Sequence, residues 1–150
     1  MTTREQVTEA IVTARLARGI SWEALAKIVG RPVVWSTAAL LGQHPVPLEA
    51  ARAVAEELGL DPEMVPVLAS VPTRGGTGEI PSDPTLYRLY EALKVYGPAL
   101  KELIHEQFGD GIMSAINFSV DLERKDLDGL ARVVITFDGK FLPYEWNAAP

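Results

Sequence analysis

The chain has 150 residues, and its 14 basic and 20 acidic side chains give a formal net charge of −6. Its length allows one domain or two small ones, and the absence of cysteine excludes disulfides, thiolate nucleophiles and cysteine-based metal sites. The negative charge argues against nucleic acid or an anionic membrane as a partner, and the lack of a long apolar run or apolar leader predicts a cytoplasmic protein.

Residues 1–72 carry the signals of five short helices. Thr3 and Gln6 have the spacing of a capping box before the first helix, and Ser21 can cap the second. Glycines fall where four of the helices should stop, at Gly19, Gly30, Gly42 and Gly59. The pattern predicts a compact all-α domain.

The second and third helices, Trp22–Val29 and Pro32–Leu41, have helix-turn-helix spacing like that of phage-repressor-like domains. The chemistry does not favour DNA binding. The segment in the place of the recognition helix has no lysine or arginine, and residues 1–70 hold six basic against eight acidic side chains. A DNA-binding regulator is therefore the least favoured function, and a scaffold role is expected for this domain.

Residues 73–83 are rich in glycine and proline and predict a linker. The second domain then spans 84–150. Asp83 is placed to cap a helix that begins at Pro84, and Gly97–Pro98 is expected to interrupt that helix before it resumes and ends near Phe108.

After residue 111 the apolar pattern changes from a helical period to a period of two. It predicts a first strand, Ile112–Leu122, a charged turn over 123–129 and a second strand, Arg132–Phe137. Asp138–Gly139 is a hairpin signal before a last short strand, Lys140–Leu142. The predicted fold is α+β, with a helical first domain and a helix-plus-strand second domain that dimerises through its strands.

Three polar side chains lie within these apolar segments. Arg88 and Glu91 are three residues apart on the predicted helix, so they can touch. Ser114 is the polar member of an alternating apolar strand face, where a bound anion could be its partner. Taken alone, the first two would more simply be a structural ion pair, and the serine would bond a nearby backbone group.

A series of motifs, however, resembles the cyanase family (cyanate hydratase, or cyanate lyase). The likeness covers nearly the whole chain and is carried by Thr37–Gln43, Arg74–Gly75, Ile80–Thr85, Tyr87–Glu91, Val95–Gly97, His105–Glu106, Phe108–Ile112, Ser114–Phe118 and Asp138–Pro143. In that family an arginine, a glutamate three residues later and a serine in a Ser-Ala-Ile-Asn-Phe segment form the catalytic set. The matching positions are Arg88, Glu91 and Ser114.

The resemblance implies bicarbonate-dependent decomposition of cyanate to ammonia and carbon dioxide via carbamate. It also implies a homodecamer, a pentamer of dimers, with sites between subunits. No metal or organic cofactor is implied, since bicarbonate is a co-substrate. Arg88 would bind an anion, Ser114 would donate a hydrogen bond, and Glu91 would orient Arg88 or, as a second possibility, transfer a proton. The alternative function is that of a non-catalytic oligomeric binding protein on the same fold.

Overall fold

A computed structural model describes residues 2–73 and 79–145. The chain divides into two compact units, Met1–Gly76 and Thr77–Pro150. Residues 74–78 of the predicted linker, which include Arg74–Gly75, lie outside the described residues, so the boundaries at 73 and 83 stay predictions. Within the described ranges, every helix is too short or too polar to cross a membrane.

The first unit is all-α, as predicted. Its helices are α1 Arg4–Arg18, α2 Trp22–Val29, α3 Val33–Leu40, α4 Leu48–Leu58 and α5 Met64–Ala69. The capping box is confirmed, because the Thr3 hydroxyl accepts the Gln6 N–H at 3.2 Å and the Gln6 side chain accepts the Thr3 N–H at 2.8 Å. Ser21 accepts the Ala24 N–H at 3.1 Å and caps α2. Local signals thus fix where the first two helices begin.

The core of this unit gathers the apolar stripe of each helix. Its fully buried large side chains are Val7, Ile11, Leu25, Leu40, Val46, Val54, Leu58 and Leu68. They come from all five helices and from the α3–α4 connection. Burial of this kind is the main source of stability for a small helical domain.

Arg4 joins α1 to the end of α5 and to the connection between α3 and α4. Its guanidinium donates to the carbonyl of Leu68 at 2.8 Å, to that of His44 at 2.6 Å and to that of Val67. Partial burial lowers the pKa of Arg4, through desolvation of its charged form. Carbonyl groups left over at helix ends are common partners for basic side chains. The sequence pattern did not indicate this role.

The second unit opens with one long helix, α6, over Pro84–Phe108. Asp83 caps it, and its carboxylate accepts the N–H groups of Thr85 and Leu86, both at 2.9 Å. The expected interruption at Gly97–Pro98 was wrong, because the helix runs through it. Proline removes one backbone hydrogen bond there but keeps a φ angle that suits a helix, and helix-forming residues flank it on both sides.

Two long strands complete this unit as an antiparallel pair, β1 Gly111–Leu127 and β2 Leu130–Pro143. The charged turn predicted over 123–129 contains the observed turn, although 123–127 belong to β1. The second hairpin, predicted at Asp138–Gly139, was wrong. The turn is at Asp128–Gly129, where both residues have positive φ angles of 51° and 76°. Such a pair suits a two-residue hairpin loop. Asp138–Gly139 instead lies inside β2.

The pairing of the strands is interrupted by a bulge in β1. Met113 pairs with Phe141 and Phe118 pairs with Gly139, so residues 114–117 face Lys140 alone. The prediction of a regular alternating strand through Ser114 was therefore wrong at this point. The bulge leaves Ile116 97% exposed, although regular alternation would have placed it on the same face as Ser114.

Candidate active site

Arg88 and Glu91 lie together on the first half of α6. The Arg88 Nη1 atom is 2.6 Å from Glu91 Oε2, and this bond joins residues three apart on one helix face. The side chains are 71% and 48% exposed in the single chain. A pair this exposed contributes little to stability. Its main effect is to hold the guanidinium in one orientation.

Ser114 lies at the start of the β1 bulge and is only 5% exposed. Its Oγ accepts the backbone N–H groups of Ile116 at 3.1 Å and Asn117 at 3.0 Å. Serine often folds back on following N–H groups in this way. A hydroxyl can accept twice and still donate its own proton. The bulge therefore fixes the oxygen and leaves the O–H group as a hydrogen-bond donor.

Ser114 is not hydrogen-bonded to the other two residues of the predicted set in the described part of the chain. Among the hydrogen bonds and ion pairs of residues 79–145, none links Ser114 to Arg88 or Glu91. The structure thus confirms contact between the first two residues and gives the third a separate setting. Their roles in catalysis stay predictions.

The bulge itself is the feature that sequence reasoning missed. A period-two pattern carries no information about which strand residues are paired, since register depends on the partner strand. One signal could have indicated it. Gly139 lies in the interior of β2, and glycine in a strand interior often marks a bulge or a close backbone approach.

The rest of the described chain offers a further cleft but no metal-binding cluster. In the described ranges, no group of three or more His, Cys, Asp or Glu side chains could hold a metal ion. A cleft in the helical unit is lined by apolar side chains such as Leu48 and Val65, together with Arg52. Arg52 is paired with Glu49 at 3.3 Å. This cleft lies in the other unit and does not include the predicted residues.

Comparisons with known proteins support one assignment. Residues 4–72 match the family model described as cyanate hydratase, N-terminal, and residues 78–146 match the cyanate lyase C-terminal domain. The cyanate hydratase of Mycolicibacterium vanbaalenii is 65% identical over 148 residues, covering 98% of this chain and 97% of that one. That of Pseudomonas aeruginosa PAO1 is 54% identical over 142 residues, covering 93% and 91%.

A solved structure supports the fold. The crystal structure of cyanase from T. urticae has a TM-score of 0.79 with this chain at 36% identity, covering 93% of this chain and 99% of that one. The class is thus an α+β lyase with a helical N-terminal unit and a helix-plus-hairpin C-terminal unit. The chain belongs to the cyanate lyase family, also called the cyanate hydratase family.

Proposed function

We propose that this chain is a cyanate hydratase that uses bicarbonate as its second substrate. A bicarbonate oxygen attacks the carbon of cyanate, and the bicarbonate proton moves to the cyanate nitrogen, which gives a dianionic mixed carbonic–carbamic species. This species takes up one proton at nitrogen, the bond between the bicarbonate carbon and the bridging oxygen breaks, and carbon dioxide is released, which leaves carbamate. Carbamate takes up a second proton and decomposes to ammonia and another carbon dioxide.

Family membership along both halves of the chain is the observation that carries this proposal. The matches cover 4–72 and 78–146, and the relatives above are named cyanate hydratases. Arg88, Glu91 and Ser114 are all present at the positions that resemble the family's catalytic set. A binding protein that had lost the chemistry would have no reason to retain all three.

Arg88 supplies the positive charge that two anionic substrates need. Two anions repel each other more strongly in an apolar pocket than in water, so a fixed cation is required. A guanidinium presents a planar fork of N–H groups that fits bicarbonate or the dianionic intermediate. Glu91 contacts Arg88 at 2.6 Å, which supports an orienting role. A free carboxylate beside the anions would repel them.

Ser114 supplies an oriented neutral donor. Its oxygen is held by the Ile116 and Asn117 N–H groups, so its O–H group can be directed at an anion oxygen or nitrogen. A preorganised donor of this kind stabilises charge that develops in the transition state. Because these groups bind, orient and donate, the proposed route uses no side-chain nucleophile, metal or organic cofactor.

The proposed site needs further copies of the chain. All 25 residues of α6 are described and none is buried. The helix has an apolar stripe at alternating spacings of three and four, whose members are each 45–65% exposed: Leu86, Leu89, Leu93, Tyr96, Leu100 and Leu103. This spacing is typical of a seam that packs against another helix. Arg88 lies off this stripe, so a further subunit would have to contact it separately, and burial there would strengthen its attraction for anions.

We therefore propose a homo-oligomer, a decamer built as a pentamer of dimers, in which groups from different subunits meet. Such an arrangement would bring Ser114 of one chain to Arg88 of another, which a single chain does not do through any hydrogen bond among its described residues. Cyanate and bicarbonate are the proposed partners, and nucleic acid and membranes are not. The cytoplasmic location stays a prediction from the sequence.

Ammonia release from cyanate, with and without added bicarbonate, tests the function. The assay is run in buffer stripped of carbon dioxide, beside a matched variant, Arg52→Ala, which removes a cation from a similar helical pair in the other unit. We expect ammonia that depends on both anions, from the wild type and this control alike. Absence of ammonia would overturn the proposed activity. Full ammonia release without added bicarbonate would overturn the proposal that bicarbonate is the second substrate.

A further inference from the structure

Gly139 lies directly across from the bulge that holds Ser114. It pairs with Phe118, the first residue of β1 after the bulge. Its position inside β2 leaves the Asp138–Gly139 motif without the turn function that its composition indicates. The motif therefore needs another explanation.

The space around Gly139 supplies one. A β-carbon added there would lie 2.4 Å from Met113 Cγ, 2.6 Å from the carbonyl oxygen of Ser114 and 3.0 Å from Phe118 Cδ2. Real β-carbons essentially never approach other atoms within 3.0 Å. The positive-φ glycines of the described residues do not include Gly139. Lack of space, rather than backbone conformation, is what requires glycine here.

This close approach bears on Ser114 through its backbone. The carbonyl oxygen of Ser114 faces Gly139 across the strands, and the hydroxyl oxygen of the same residue accepts the Ile116 and Asn117 N–H groups. The residue is thus held from both sides. A side chain at position 139 would push the Ser114 carbonyl away. The peptide group after Ser114 would then rotate, and the serine side chain with its hydroxyl would change direction.

We propose that Gly139 is a positioning residue for Ser114. By letting β2 approach the bulge, it sets the direction of the serine O–H group toward the reacting anions. This inference rests on the proposed function, because it assumes that Ser114 acts on cyanate or bicarbonate.

The expected effect is on turnover. A donor displaced by about 1 Å can cost on the order of 100-fold in rate, so Gly139→Ala should lower kcat by roughly 10- to 100-fold. A donor that acts in the transition state affects kcat more than KM. If Gly139 acts only through Ser114, its substitution should add little once the serine hydroxyl is gone.

The experiment compares four variants by steady-state ammonia release and sedimentation: Gly139→Ala, Ser114→Ala, the double variant of these two, and Gly129→Ala. The last is the matched control. Gly129 belongs to the same hairpin and has a φ of 76°, so alanine strains the backbone there, but open space surrounds it. We expect Gly129→Ala to keep wild-type kcat, and the double variant to have the kcat of Ser114→Ala.

If Gly139→Ala does not assemble, the double variant Met113→Ala/Gly139→Ala replaces it, with Met113→Ala as its control. The Met113 substitution removes Cγ, one of the three atoms that obstruct a β-carbon at position 139. Wild-type kcat in assembled Gly139→Ala, with Ser114→Ala impaired, would overturn the positioning role and leave the proposed function intact. Additive losses in the double variant, or no assembly of either position-139 variant, would also overturn it. Full activity of Ser114→Ala would overturn both the inference and the proposed role of the serine.

Discussion

Arg88 and Glu91 form a hydrogen-bonded pair in which Nη1 of the arginine lies 2.6 Å from Oε2 of the glutamate. The carboxylate occupies one donor of a guanidinium that has five N–H groups. Enough donors remain for a planar anion to bind through two parallel hydrogen bonds. The pair therefore combines a fixed orientation with free binding capacity.

The Arg88→Lys substitution tests the need for the planar fork. Lysine keeps the charge but is a point cation without the two-donor geometry. We expect turnover to fall by roughly 100-fold or more, with the oligomer still assembled. The measurement is ammonia release beside sedimentation, with Arg52→Lys as the matched control. Near-wild-type turnover in assembled Arg88→Lys would contradict the two-donor role, and loss of assembly would favour a purely structural ion pair.

Glu91→Gln tests whether the glutamate acts through the arginine. Residues that act as one unit give non-additive losses when both are changed. We expect Glu91→Gln to lower turnover, and the Arg88→Lys/Glu91→Gln double variant to be no worse than Arg88→Lys. Losses that multiply in the double variant would show that Glu91 acts independently, as a proton-transfer group would.

Ser114→Ala tests the oriented donor. Loss of one oxyanion-type donor costs about 2.7–4 kcal/mol in the barrier, or on the order of 100- to 1,000-fold in kcat. Since the hydroxyl also accepts two backbone N–H groups, the folded state has to be checked by circular dichroism and sedimentation. A well-folded, assembled Ser114→Ala variant with unchanged kcat would remove the serine from the mechanism.

The assembly proposal is tested on the apolar stripe of α6. A charge placed at a half-exposed seam residue would be buried without a partner if another subunit covers it. We expect Leu93→Glu to dissociate the oligomer and lose activity. Leu16→Glu is the control, because Leu16 is also exposed, at 64%, but lies in the helical unit. A wild-type protein that sediments as an active monomer would contradict the proposal.

Arg4 gives a stability prediction for the helical unit. Arg4→Ala leaves the carbonyls of Leu68, His44 and Val67 without their charged donor. The expected loss is roughly 2–3 kcal/mol in the free energy of unfolding, since charged hydrogen bonds are the stronger ones and this site is half-buried. Urea unfolding followed by the fluorescence of Trp22 and Trp35 measures it. An Arg52→Ala control should stay within about 0.5 kcal/mol of wild type, and an unchanged urea midpoint for Arg4→Ala would contradict the role.

Much of the fold could be predicted because its signals are local. The Thr3–Gln6 capping box and the Ser21 cap depend on residues a few positions apart, and both were confirmed. Three Asp-Gly pairs occur in the second unit, at 110–111, 128–129 and 138–139, and only cross-strand register decides that the pair at 128–129 makes the hairpin turn. Sequence alone could not choose between them.

The candidate site also has one part that local sequence predicts and one part that depends on strand pairing. The contact between Arg88 and Glu91 follows from helical spacing and was predicted. The setting of Ser114 depends on a bulge that lies against Gly139, 25 residues further along the chain. The residues around Ser114 do not encode this relationship, since it exists only once the two strands pair.

The ratio of carbon dioxide to ammonia in the first seconds of reaction tests the bicarbonate route. Mass spectrometry of dissolved gas, with carbon-13 in bicarbonate and carbon-12 in cyanate, follows both sources of carbon dioxide together. The proposed route predicts two molecules of carbon dioxide per ammonia, one labelled and one unlabelled. A single, unlabelled carbon dioxide per ammonia would indicate simple hydrolysis of cyanate and would contradict the account.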